Sequence, residues 1–123
     1  MKLKYSKPKK VKRSTLKNKA DKLFSQIVRS WGKCELAGLD KIKCSNVLQT
    51  MHIETRGVLA IRWNLMNALC GCSGHHVYYT NNPRAFNELV AKHFPLKAKF
   101  VEEHCNDHMT EDLEDVIRRL KVT

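Results

Sequence analysis

From Leu16 onward the apolar positions recur at helical spacing. Leu23, Phe24, Ile27, Val28 and Trp31 share one face, and Lys22, Gln26, Arg29 and Ser30 face away, so a first helix is expected up to Gly32. Between Cys34 and Cys44 the pattern breaks, with Gly38 and Asp40 as turn residues. The β-branched, alternating run Val47 to Ile53 predicts a strand, Arg56-Gly57 a turn, and the apolar stretch from residue 58 a second strand reaching Leu69. A tight Gly/Cys/Ser/His segment from Cys70 to His76 leads into a helix over His75 to Thr80, which Asn81-Asn82-Pro83 stops. Pro83 then suits the first turn of another helix, capped by Asn82, striped by Phe86, Leu89, Val90 and Phe94, and ended by Pro95. A final helix is expected from a Thr110 cap, with Glu111 and Asp112 at its start, Arg118, Arg119 and Lys121 at its end, and Leu113, Val116, Ile117 and Leu120 buried.

Charge adds one feature that periodicity does not. The 123 residues carry 23 Lys plus Arg against 12 Asp plus Glu, a net +11. Ten of the cations, against the single acid Asp21, fall in residues 1–22, leaving only +2 for the rest. Residues 1–15 therefore read as a basic flexible arm, whose Lys7, Lys9, Lys10, Lys12 and Arg13, with Lys17 and Lys19 beyond it, are candidates for binding the phosphates of a polyanion. Residues 16–95 read as the folded domain and 96–123 as a C-terminal helical extension. Neither a secretory pattern nor a run of about 18 apolar residues is present, so a cytoplasmic protein is expected.

Five cysteines, an odd number in a reducing compartment, argue for metal ligands and against a disulfide framework. Cys34, Cys44, Cys72 and His75 fall at the corners of the strand, turn and knuckle unit, and a zinc ion held by four such N/S ligands would staple a small core. Cys70 is the rival to Cys72. Cys105 has no nearby partner and reads as packing, and His104-x3-His108 lacks a third ligand.

The stretch LQTMHIETRG to IRWNLMNALCGCSGHHVYYTNNP resembles the HNH endonuclease superfamily, of ββα-metal fold, and within it phage recombination nucleases of the Rap/NinG kind. Asn67-x4-Cys72 matches that family's Asn-x4-Cys, and Cys72-x-x-His75-His76 its Cys-x-x-Cys-His, which selects Cys72 over Cys70. The likeness covers roughly residues 16–95. It implies an α+β fold with a small ββα-metal core and zinc knuckle, flanked by N- and C-terminal helices. It also implies a metal-dependent DNA endonuclease acting in phage recombination or replication inside a bacterial host, branched or single-stranded DNA included. In that reading His52 is the general base, His76 holds a catalytic Mg²⁺ or Mn²⁺, and Asn67 ties the connecting loop to the site, orienting His52; Arg56, four residues past His52, is a candidate to grip the phosphate. Many members carry Asp or His just before the first histidine; here Met51 stands there, and Met51→Asp is expected to tighten metal binding if that position faces the ion. The alternative is a zinc-stapled DNA- or RNA-binding protein without catalysis, since a basic arm reads phosphate and not sugar.

Overall fold

A computed structural model describes residues 11–123. Lys7, Lys9 and Lys10 of the expected phosphate-binding set therefore lie outside the described residues. The fold is α+β. Among the described residues it has six α-helices and one antiparallel pair of strands: α1 (Arg13–Arg29), β1 (Leu48–His52), α2 (Leu59–Arg62), β2 (Ala68–Cys72), α3 (Ser73–Thr80), α4 (Pro83–His93), α5 (Pro95–His104) and α6 (Leu113–Lys121). No helix of the described residues is long and apolar enough to cross a membrane.

Two apolar clusters build the core, one against each face of the strand pair. On one side Ala20, Phe24 and Val28 of α1 meet Trp63, Ala68 and Cys70, together with Leu113, Val116, Ile117 and Leu120 of α6. On the other, Leu36, Met51, Leu69, Tyr79, Phe86 and Val90 pack together. The pleat explains the division, because successive side chains of a strand point to opposite faces. Ala68 and Cys70 of β2 enter the first cluster, and Leu69 between them enters the second.

This double burial corrects the second strand. β2 is buried along its whole length, so its sequence ALCGC has no polar/apolar alternation to mark it. The apolar run before it folds instead as the single turn α2 and a 3-10 turn over Leu65–Asn67. Asn64 supports that turn, its side chain accepting from the Met66 N–H.

Helix ends supply the other corrections. α1 begins at Arg13, so residues 13–15 belong to the helix and not to an arm. Within a folded protein most of a helix's stability comes from packing, and the Leu16 side chain, packed against the first cluster, anchors this end. α3 starts at Ser73, with the Cys72 sulfur as its cap, rather than at His75. Asn82 stands at the N-cap position of α4 as expected, but its side chain makes no cap bond and donates instead to the Tyr78 carbonyl at 2.8 Å, closing the end of α3. Pro95 ends α4 and also opens α5, a helix that the sequence pattern does not announce. α6 is capped by Asp112, whose carboxylate accepts from the Asp115 N–H at 2.7 Å, and Glu111 is drawn instead into an ion pair with Arg119.

Candidate metal centre and groove

Cys34, Cys44, Cys72 and His75 come together, their ligand atoms all within 4.8 Å of one another. The three sulfurs lie 3.7, 3.7 and 3.0 Å from His75 Nδ1. Zinc bonds of about 2.3 Å to sulfur and 2.0–2.1 Å to nitrogen give a tetrahedral N to S edge of roughly 3.6 Å, close to what is seen. Each ligand is placed by local structure. Cys34 follows the left-handed Gly32 (φ 84°), Cys44 sits in the loop before β1, and Cys72 and His75 form the β2–α3 junction. Backbone N–H groups already point at the sulfurs: Cys72 donates to Cys34 Sγ at 3.3 Å and His75 to Cys72 Sγ at 3.4 Å.

The outer contacts fit a metal-bound histidine. His75 Nε2 lies 2.9 Å from Asp40 Oδ1, and the same carboxylate accepts from Tyr79 Oη at 2.5 Å and from the Ile42 N–H at 2.9 Å. Such a carboxylate fixes the tautomer that leaves Nδ1 free for an ion. The sulfurs' ionisation points the same way. Burial works to raise the Cys72 thiol, but hydrogen bonds from His75 and Ser45 outweigh it and bring it down to about 5. Cys44 is pushed up to about 11 by desolvation and by Cys34 and Cys72 beside it. Three thiolates cannot share this space without a cation between them, and the four residues could bind a metal such as zinc. Cys70 takes no part: its side chain is in the apolar cluster against α1, where burial raises its thiol. Cys105 ends α5, with Sγ 3.7 Å from the Glu102 carbonyl.

His52 and His76 line a separate open groove of about 630 Å³, together with Gln49, Thr50, Arg29 and Arg56. His52 ends β1 on the α1 side, stacked on Phe24 with centroids 5.4 Å apart. Its Nε2 donates to the Arg62 carbonyl at 3.0 Å, and since a carbonyl only accepts, Nδ1 carries the lone pair. Nδ1 has no hydrogen bond to a described residue, and among these no buried side-chain nitrogen or oxygen lacks a partner, so Nδ1 keeps some solvent access, on a residue that lines the groove. Burial pulls the His52 pKa below the usual histidine value; the Arg56 and Arg62 charges work the same way, against the carbonyl bond and Asp21. His76 stands on α3, its Nδ1 2.7 Å from Gln49 Oε1.

Asn67 is fully buried and ties the segment after β1 to α2. Its side chain accepts from the Glu54 N–H at 2.7 Å and donates to the Ile61 carbonyl at 3.2 Å, while its own carbonyl accepts from the Ile53 N–H at 2.9 Å. It anchors the segment after His52 and does not hydrogen-bond to His52 itself. Arg56 is not free: it is paired with Asp21 at 2.6 Å, with most of its side chain still exposed. Of the basic residues, Lys12, Arg13 and Lys19 are exposed and Lys17 is half-buried.

Met51 does not face the groove. It lies in the second apolar cluster, only 2% exposed, and a Cβ on Gly71 would come within 2.2 Å of its sulfur. The expectation that an acid at position 51 would serve an ion beside His52 is therefore corrected by the alternation of β1. His104 and His108 share no helical face either, because α5 ends at His104, which pairs with Asp107 at 2.6 Å.

Sequence reasoning missed Asp40, Asp21, Arg62 and Gln49. Asp40 had a signal, a carboxylate inside the Cys34 to Cys44 loop, and Asp21 another, as the lone acid among ten cations. Arg62 acts through its backbone carbonyl on His52, which no residue type announces. Comparison with protein-family models, with curated proteins and with solved structures finds no match to this chain.

Proposed function

We propose that the chain is a metal-dependent DNA endonuclease of the HNH type, in which a zinc site staples the fold and the groove between α1 and α3 holds the scissile phosphodiester. One observation carries the reading: His52, from the end of the first strand, and His76, from the helix after the second, line one groove with two arginines. His52 Nδ1 would take the proton of the attacking water, and His76 would hold a Mg²⁺ or Mn²⁺ ion that offsets charge on the leaving oxygen. Arg29 and Arg56 would meet the phosphates, Arg56 by exchanging Asp21 for one of them. Lys12, Arg13, Lys17 and Lys19, on or next to α1, extend the positive surface, and Lys7, Lys9 and Lys10 precede them in sequence.

A second reading has its own observation. Among the described residues the group of three or more His, Cys, Asp or Glu placed to hold a metal is the zinc cluster, so an ion at His76 would take the rest of its shell from Gln49, water and phosphate. That favours a zinc-stapled DNA- or RNA-binding protein without catalysis. Incubating supercoiled, single-stranded and branched DNA with the protein, with Mg²⁺ or Mn²⁺ and without either, separates the two. The nuclease reading expects cleavage that needs the ion and falls about 10²–10⁴-fold in His52→Ala, with zinc content and DNA affinity retained. Undiminished cleavage by His52→Ala, or none by wild type on any substrate, rejects it.

A further inference from the structure

Asp21 sits on α1, one turn before Phe24 and Ser25, and its carboxylate receives four donors. Arg62 donates through Nε to Oδ1 at 3.1 Å and through Nη2 to Oδ2 at 2.6 Å, Trp63 Nε1 donates to Oδ1 at 2.9 Å, and Arg56 Nη2 to Oδ2 at 2.6 Å. A carboxylate offers about four lone-pair sites, so this one is saturated and is not free to ligate an ion, although it lines the groove. What it does hold is Arg62, whose side chain is only 14% exposed and whose carbonyl accepts from His52 Nε2.

We propose that Asp21 is a positioning residue for His52: through the Arg62 fork it fixes the carbonyl that selects the Nε2–H tautomer and turns Nδ1 toward the groove. Residue chemistry suits the task. The planar guanidinium meets a carboxylate in two parallel bonds, which sets direction as well as distance, and Trp63 adds a third donor from the next residue of the same segment. Both aromatic walls of the arrangement are fixed as well, since His52 stacks on Phe24 and the Arg62 guanidinium lies 5.1 Å from the Trp63 ring centroid. The charged groups around His52 are Asp21 from α1, Arg62 from α2 and Arg56 from the loop between β1 and α2. Removing only the carboxylate leaves two positive charges facing the imidazole.

The inference rests on the reading of His52 as the base, but its first readout does not depend on cleavage. In full-length, zinc-loaded protein with ¹⁵N-labelled histidine, wild-type His52 is expected as the Nε2–H tautomer. Asp21→Asn should give a mixture of tautomers and a lower His52 pKa, with zinc content unchanged, and where wild type cleaves DNA, kcat should fall about 10²-fold with KM kept. Should Asp21→Asn not fold, Arg62→Lys keeps the charge, loses the fork and is expected to show the same loss of the single tautomer. A folded Asp21→Asn or Arg62→Lys protein with wild-type tautomer, pKa and kcat would overturn the proposal, leaving the cluster as a staple between α1 and α2. Altered His52 signals in a protein that cleaves nothing would instead uphold the positioning and reject the nuclease.

Discussion

His52 is legible in the sequence as a lone histidine at the end of a strand, but its chemistry is set by neighbours from two other segments. Phe24 takes it out of water and Arg62 fixes its proton. Burial favours the neutral ring, so its pKa in the fold lies below the ordinary value of about 6.5. In the proposed role of base the ring must be neutral, and burial extends its neutral range to lower pH than that of an ordinary histidine. Under that proposal cleavage is expected to fall on acidification with an acid limb in kcat/KM against pH centred below about 6.5. The same shift makes a matching contribution to stability, present above about pH 6.5 and lost as the pH falls toward the folded-state pKa, because there the unfolded chain binds the proton more readily. A limb centred at or above pH 6.5 would contradict the burial argument.

The two strands show how elements decide which neighbouring residues share a site. Positions 51 and 52 are adjacent in the chain and lie on opposite faces of β1, so His52 reaches the groove and Met51 the core. An acid placed at 51 would be buried among Leu36, Leu69 and Phe86 with no partner. Met51→Asp is thus expected to destabilise the protein by about 4 kcal/mol or more, without tightening Mn²⁺ binding; denaturant melts and a metal titration check both parts. The strand opposite explains the limits of periodicity. β2 is covered on both faces and reads as a plain apolar run, which cannot be told from a buried helix by its pattern alone. α3 and α6, whose faces differ, are placed within a few residues by capping and stripe.

For the molecule as a whole, the cluster of Cys34, Cys44, Cys72 and His75 joins the loop of residues 33–47 to the β2–α3 junction, a segment also held by Leu36, Glu35, Asp40 and Ser45 contacts. A metal bound there would contribute folding free energy, since the unfolded chain has no such site. Chelation of the zinc, or Cys72→Ser, is expected to unfold at least this half of the protein, whereas Cys105→Ser leaves circular dichroism, melting and zinc content as in wild type. Zinc-free protein with an undiminished melting transition would show that the four side chains are packing residues. The C-terminal helix belongs to the same body: its Leu113, Val116, Ile117 and Leu120 complete the cluster built on α1, so residues 96–123 do more than extend a domain that ends at 95.

By themselves the residues determined the α+β class, the helix stripes, the basic N-terminal bias and the four Cys and His positions that could hold a metal, because each depends on local periodicity, charge or ligand chemistry. Tertiary structure alone decided that Met51 turns inward, that Arg56 is already paired, and that Asp21, Arg62 and Asp40 stand behind the two histidines. Those contacts join positions up to 42 residues apart in the chain, where no local pattern reaches. Their partners are chosen by the packing of α1 and of the Cys34–Cys44 loop against the strand pair.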